Sequence, residues 1–179
     1  MRSTIVIILF ITASLPLYPA LVASQDKAEH LFFVERSRSR NLVQYDVRLT
    51  ENRDLPDSNP VIAYWILQDG RREELNPVEK KYAYGIASQE QISKDKFKVR
   101  LAALKDREII VEKIKGSYRA VVSINGKESI LEKVYVEAEE RLTGLPEVVY
   151  VDLFGRTIRA NLPVRERIRL AKSGQNGRC

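Results

Sequence analysis

A two-residue alternation of apolar and polar side chains dominates this chain after residue 30 and constrains its fold more than any other feature. Within Asn41–Thr50, four apolar side chains share one face, namely Val43, Tyr45, Val47 and Leu49. Successive side chains of a strand point to opposite faces, so this pattern is typical of a half-buried strand. Lys96–Leu101 and Tyr118–Ile124 repeat the pattern. The sequence therefore predicts an all-β domain.

The clearest turn signal is Asn125-Gly126, because both residues tolerate the positive φ of a type I′ turn. It predicts a hairpin that pairs Tyr118–Ile124 with Glu128–Glu137. The run from Glu128 to Arg141 is also rich in Glu and Lys, so a helix is the alternative there, although its β-branched and aromatic residues favour a strand. Further strands are predicted at His30–Arg36, Val61–Gln68, Tyr84–Ile92, Arg107–Ile114 and Glu147–Phe154.

One short helix is predicted. Asn76 suits the N-cap, Pro77 the first helical position and Glu79 the third, which together resemble a capping box, so a helical turn should run from Pro77 to about Tyr82. Further turn signals at Asp54–Pro60, Gln68-Asp69-Gly70 and Lys115-Gly116 help to divide the chain into roughly eight or nine strands with short links. We therefore predict a single antiparallel up-and-down β-barrel-like domain, since closure removes exposed edges, with a sandwich as the alternative.

The N-terminal residues have the order of a secretory signal peptide. A positive start at Met1-Arg2 precedes an apolar run at Ile5–Ile11, and small residues follow at Val22 and Ser24. The alternative is a membrane anchor, but the apolar run is shorter than the roughly 20 residues that cross a bilayer as a helix. We expect cleavage after Ser24, a periplasmic or secreted protein, and no membrane-spanning segment after cleavage.

The sequence therefore predicts three parts of the chain. They are a signal peptide at 1–24, the β-barrel-like domain at 25–172 and a disordered tail at 173–179. His30 is the only histidine and Cys179 the only cysteine, so the chain cannot supply the usual ligands of a zinc site. The sequence predicts no catalytic residue, no metal site and no cofactor, and it favours binding over catalysis. An enzyme would have to rely on carboxylates, tyrosines and arginines.

Aromatic residues provide the candidate binding site. Tyrosine and tryptophan combine a flat apolar body with a polar tip, which suits a ligand pocket, whereas the alternative is that they fill the core. We predict a small amphiphilic ligand in the mouth of the barrel. The predicted ligand-binding residues are Tyr64, Trp65, Tyr82 and Tyr84, with Glu35 and Arg36 as polar anchors.

A row of arginines provides a second candidate site. Arg165, Arg167 and Arg169 alternate within Val164–Leu170, so in an extended segment their guanidiniums lie on one side, about 7 Å apart. Arginine forks match phosphate and carboxylate groups, which makes this row a candidate anion-binding site. The alternatives are a solvated strand face or a charged edge. An envelope interaction protein that binds an anionic partner is therefore the second predicted function, and nucleic acid is not an expected partner.

Four segments give the chain a resemblance to a known family. They are Phe33-Val34-Glu35-Arg36-Ser37, Pro60-Val61-Ile62-Ala63-Tyr64-Trp65-Ile66, Tyr82-Ala83-Tyr84-Gly85-Ile86 and Val151-Asp152-Leu153-Phe154-Gly155-Arg156. They resemble an uncharacterised family of bacterial exported proteins, a domain of unknown function, over about residues 30–168. The resemblance implies export and a single β-rich domain. It brings no activity, cofactor or site residue.

Overall fold

The computed structural model describes residues 27–139 and 147–169. These residues form eleven strands and one short helix: β1 (Lys27–Arg36), β2 (Leu42–Leu49), β3 (Val61–Ile66), β4 (Arg72–Glu74), α1 (Pro77–Tyr82), β5 (Ile86–Ser93), β6 (Lys96–Leu101), β7 (Leu104–Ile114), β8 (Ser117–Ile124), β9 (Lys127–Glu139), β10 (Glu147–Thr157) and β11 (Pro163–Arg169). The predicted signal peptide, the predicted tail and Cys179 lie outside the described residues. No helix in the described part of the chain has the length and apolar character needed to cross a membrane.

The strands form one curled sheet, a half-barrel with the order β4-β3-β2-β1-β9-β8-β7-β6-β5, and β10 lies between β9 and β11. Most chain neighbours pair antiparallel, in agreement with the predicted β-barrel-like meander. The sheet is nevertheless mixed, because β1 and β9 are parallel, with Phe33 beside Lys133 and Arg36 beside Val136. This pairing is possible because β9 is long: its first residues pair with β8 and its later residues pair with β1.

Two tight hairpins set the register of the central strands. Asn125 and Gly126 have φ values of 50° and 72°, as the predicted turn requires, and Ile124 pairs with Lys127 across it. Lys115 and Gly116, with φ values of 51° and 87°, join β7 to β8 in the same way. The strand β9 replaces the alternative helix, and the hairpin prediction is confirmed.

The helix α1 has the predicted bounds and the predicted cap. The Glu79 backbone N–H donates to Asn76 Oδ1 at 2.9 Å, and the Asn76 N–H donates to Glu79 Oε2 at 2.9 Å. Beyond its C-terminus the chain returns over the last turn at Gly85, where an added Cβ would lie 1.7 Å from the Lys80 carbonyl oxygen. Glycine is therefore required for this close approach, which holds α1 against the sheet.

Two strands exceed the predicted number. β4 contains only charged residues, Arg72-Glu73-Glu74, so it lacks the apolar alternation that identifies a strand in a sequence. It pairs with Tyr64–Ile66 at the edge of the sheet. The second additional strand is β11, which contains the arginine row. The segment is extended, as the row required, and its arginines share one face.

The main core lies on the concave face of the half-barrel. Its largest fully buried side chains include Tyr45, Tyr118, Phe32 and Phe97. The rings of Phe32 and Tyr45 stack with centroids 4.5 Å apart. Burial of each such side chain contributes about 1.5–3 kcal/mol to folding. Tyr45 also borders a cavity beneath α1.

Candidate functional site

A cavity of about 360 Å³ lies between the concave face of the sheet and α1. Strands β1, β2, β3, β9 and β10, the helix and the turn between β6 and β7 all contribute to its wall. Most of the lining is apolar, including Val34, Leu104, Val134, Val136 and Val151. The curl of the sheet and the helical turn across it thus leave an apolar cavity beside the packed core.

Trp65 and Tyr84 form the aromatic wall of this cavity. Their rings meet edge to face, with centroids 5.1 Å apart and planes at 73°. The indole Nε1 of Trp65 donates a hydrogen bond of 3.1 Å to Glu79 Oε2, the same oxygen that caps α1. Glu79 therefore couples the helix cap to the orientation of the indole.

Tyr45 supports the same wall from beneath. Its hydroxyl donates to the Tyr84 carbonyl oxygen at 2.5 Å. Burial raises the pKa of the Tyr45 phenol, and the neighbouring Tyr84 phenol raises it further. Tyr45 therefore remains a neutral hydrogen-bond donor at any ordinary pH, and it fixes the backbone that carries Tyr84.

Arg36 places a positive charge in the mainly apolar lining. Val34 and Arg36 share one face of β1, and both line the cavity. Burial raises the pKa of the Tyr84 phenol, while the charge and a hydrogen bond of Arg36 oppose that rise. The guanidinium is thus next to the phenol, where it provides a polar end to an apolar cavity.

The structure brings four of the six predicted ligand-binding residues into this lining, namely Arg36, Trp65, Tyr82 and Tyr84. The other two lie on the opposite face of the sheet. Glu35 Oε2 is 3.0 Å from Lys133 Nζ. The Tyr64 ring packs beneath Arg72, whose Cζ lies 3.6 Å from the ring centroid.

Two predicted anion-binding arginines, Arg165 and Arg167, converge on one buried carboxylate. Arg165 Nη2 lies 2.6 Å from Asp152 Oδ2, and Arg167 donates to both oxygens at 2.8 Å. The hydrogen bonds that Arg167 and Arg165 donate, together with their positive charges, lower the pKa of Asp152 to about 2, although burial opposes this shift. Arg167 also lies over the Tyr150 ring, 3.8 Å from its centroid. Arg169 is on the same face.

A second buried carboxylate, Asp46, organises the outer face of β2 and β3. Gln44 Nε2 donates to its two oxygens at 2.9 and 3.0 Å, and His30 Nδ1 lies 3.1 Å from Oδ1. The Tyr64 hydroxyl also donates to Asp46. Burial, together with this hydrogen bond, raises the Tyr64 pKa to about 12. Among the described residues, no group of three or more His, Cys, Asp and Glu side chains is placed to hold a metal ion.

Several lining residues carry no signal that sequence reasoning could use. Val78, Leu104 and Val148 read as ordinary apolar positions, and only the fold brings them to one cavity. Glu79 was predicted as a capping residue and proved also to bind Trp65. The predicted binding residues Tyr82 and Tyr84 placed this segment near the site, but nothing in the sequence indicated the contact between Glu79 and Trp65.

Comparison with known proteins identifies one family. A family model described as "Domain of unknown function (DUF4833)" matches residues 32–167, most of the chain. No curated protein and no solved structure matches the sequence.

Proposed function

The chain belongs to the family of DUF4833 domains, whose description assigns no activity, and we propose from its cavity that it is a binding module for a small amphiphilic ligand. The apolar body of the ligand would pack against Trp65 and Tyr84, and its polar end would lie toward Arg36. The cavity beneath α1, apolar except at a few positions, is the observation that carries this proposal.

The size and lining of the cavity support this proposal. Its volume of about 360 Å³ falls within the roughly 300–1,000 Å³ typical of small-molecule sites, which are mainly apolar with a few placed polar groups. Among the described lining residues Arg36 is the cationic one, while Glu79 accepts hydrogen bonds from Trp65 and Asn76. An anionic or strongly polar headgroup therefore suits the ligand better than a cationic one.

The arginine row on β11 is a weaker candidate for the proposed ligand than the cavity. Two guanidiniums of that row already share Asp152, whose side chain is 2 % exposed. One negative charge between two positive ones weakens the field that an anionic partner would meet. The cavity offers a mainly apolar wall for the body of the ligand, which the partly exposed arginine row does not.

We further propose that the protein acts outside the cytoplasm. The positive start at Met1-Arg2, the apolar run at Ile5–Ile11 and the small residue Ser24 support this. Intact mass spectrometry of protein recovered from its producing cells should give a chain that begins at Gln25. A mature protein that keeps Met1 would contradict export by a cleaved signal.

Trp65 is the only tryptophan of the chain, so its fluorescence reports directly on the cavity. Decanoate and decanol share an apolar body and differ in the charge of the headgroup. Both should change the emission in a saturable way, because both bury that body against the indole. Arg36→Gln should weaken decanoate binding about tenfold, the value of one charged hydrogen bond, and leave decanol binding nearly unchanged.

A matched pair of variants tests the location. Val136→Phe adds volume inside the cavity, whereas Ile130→Phe adds volume on the same strand outside its lining. Val136→Phe should abolish the binding of both probes, and Ile130→Phe should retain it. Equal loss in the two folded variants, or no saturable response in the wild-type protein, would refute the proposed function.

A further inference from the structure

A second cavity of about 420 Å³ lies at the seam between the β3–β4 edge of the sheet and the start of β5. Among the described residues it shares no lining side chain with the cavity beneath α1. Its described lining has three cationic side chains, from Arg48, Arg72 and Lys80, against one carboxylate, from Glu74. The lining therefore carries an excess of positive charge.

Arg72 is held in a defined orientation at this seam. Its guanidinium lies over the Tyr64 ring, with Cζ 3.6 Å from the centroid. The Tyr64 hydroxyl donates to Asp46, and Gln44 Nε2 donates to the Tyr64 oxygen at 3.0 Å. A stacked guanidinium keeps its N–H groups in the plane and free to bind at the edge, so this arrangement preorganises Arg72 for an acceptor.

Glu74 pairs only loosely with its neighbours. Its carboxylate oxygens lie 3.9 Å from Arg72 Nη2 and 3.5 Å from Lys80 Nζ. All three side chains are more than half exposed. Ion pairs of this length and exposure are weak, so an anion with more oxygens and more charge can displace the carboxylate.

Arg48 completes the cationic lining from β2. Its Nη2 donates to the Asn59 carbonyl oxygen at 3.2 Å, which positions the guanidinium while other N–H groups remain. Two arginine forks and a lysine match the oxygens of a phosphoryl group. We propose that the seam cavity binds a small phosphate dianion, either inorganic phosphate or the phosphoryl group of an organic monoester.

Calorimetric titration of the full chain with inorganic phosphate and with phenyl phosphate, at constant ionic strength, tests the site. Arg72→Gln and Arg48→Gln should each weaken binding about tenfold, because each removes a charged hydrogen bond. Arg156→Gln, which removes the same charge at a residue paired with Glu132 outside the cavity, should change affinity less than about twofold. Stronger binding of phenyl phosphate would identify an organic monoester as the ligand, and equal binding would identify free phosphate.

Glu74→Gln provides the opposite test. Removal of the competing carboxylate should strengthen phosphate binding by a few-fold, a gain that a misfolded variant cannot imitate. Arg72→Gln should keep the decanoate affinity of the wild-type protein, so failure at this seam is distinguishable from failure of the cavity beneath α1. No saturable phosphate binding, equal weakening by Arg156→Gln, or no gain in Glu74→Gln would overturn the proposal.

Discussion

At the scale of single residues, two buried carboxylates organise the polar interactions of the sheet. Asp152 lies under Arg165 and Arg167, and Asp46 receives hydrogen bonds from Gln44 and Tyr64. A buried charge is costly unless it is paired, so each carboxylate depends on its neighbours for its place in the fold. Both carboxylates lie on strands that also contribute to the cavity beneath α1, and they stabilise it from the outer face.

Asp152→Asn should lower the free energy of unfolding at pH 7 by about 1–2 kcal/mol, since the amide keeps the shape but loses charged hydrogen bonds to partly exposed arginines. Folding lowers the Asp152 pKa to about 2, below the value of about 3.8 in the unfolded chain. The contribution of the Asp152 carboxylate to the free energy of unfolding is therefore complete well above pH 3.8 and decreases as the pH falls toward 2. Urea unfolding at pH 7 and at pH 2.5 should show a large difference between wild type and variant only at pH 7. A constant difference would contradict this pairing.

At the scale of elements, α1 is too short to be stable alone and is held by its surroundings. The Asn76–Glu79 cap, the bond from Trp65 to Glu79 and the close return at Gly85 fix it. Each of these contacts also shapes the cavity wall. The position of α1 therefore decides whether the cavity is covered.

Gly85→Ala should destabilise the protein by about 1–3 kcal/mol and weaken decanoate binding, because its Cβ would push the Lys80 carbonyl, and α1 with it, away from the sheet. Gly155→Ala is the matched control, because Gly155 lies in β10 and outside the cavity lining. Its added Cβ would lie 2.2 Å from the Ile130 carbonyl oxygen. It should destabilise the fold and spare ligand binding. Thermal melts combined with Trp65 fluorescence separate the two effects, and similar binding in both variants would show that α1 does not cover the site.

At the scale of the whole molecule, the half-barrel approaches closure between β3 and β5 through a side chain rather than a strand ladder. The Val61 N–H donates to Gln89 Oε1 at 2.9 Å, and Gln89 Nε2 donates to the Val61 carbonyl at 3.0 Å. The amide of Gln89 thus takes the place of a neighbouring peptide group. Two hydrogen bonds thus join β3, next to the edge strand β4, to β5 at the other edge of the sheet.

Gln89→Met should open this seam locally, because the Val61 N–H then loses its acceptor while the side-chain volume is nearly kept. Hydrogen exchange at the Val61 amide should accelerate about tenfold or more. Gln91→Met, an exposed position on the same strand, is the control and should leave that rate unchanged. An unchanged rate in Gln89→Met would show that the seam is held by other contacts.

Local pattern predicted most of this fold. The alternation in β2, β6 and β8, the Asn125-Gly126 turn and the α1 capping box all follow from backbone geometry and near neighbours, so they were predictable from the sequence. β4 was not predictable, because its charged residues have no apolar period and its pairing with β3 alone makes it a strand. The same limit applies to the parallel contact between β1 and β9, which joins segments far apart in the chain.

The residues of the candidate site could likewise be predicted only in part from the sequence. Strand alternation places adjacent residues on opposite faces, so Tyr64 and Trp65, or Glu35 and Arg36, could not both line one cavity. Most of the strands, the main turns, the helix and the residue types available for binding follow from the sequence, since these depend on neighbours within a few positions. Which face is concave, how α1 covers it and the pairing of Asp152 with two arginines follow from the three-dimensional fold, because they depend on contacts between distant strands.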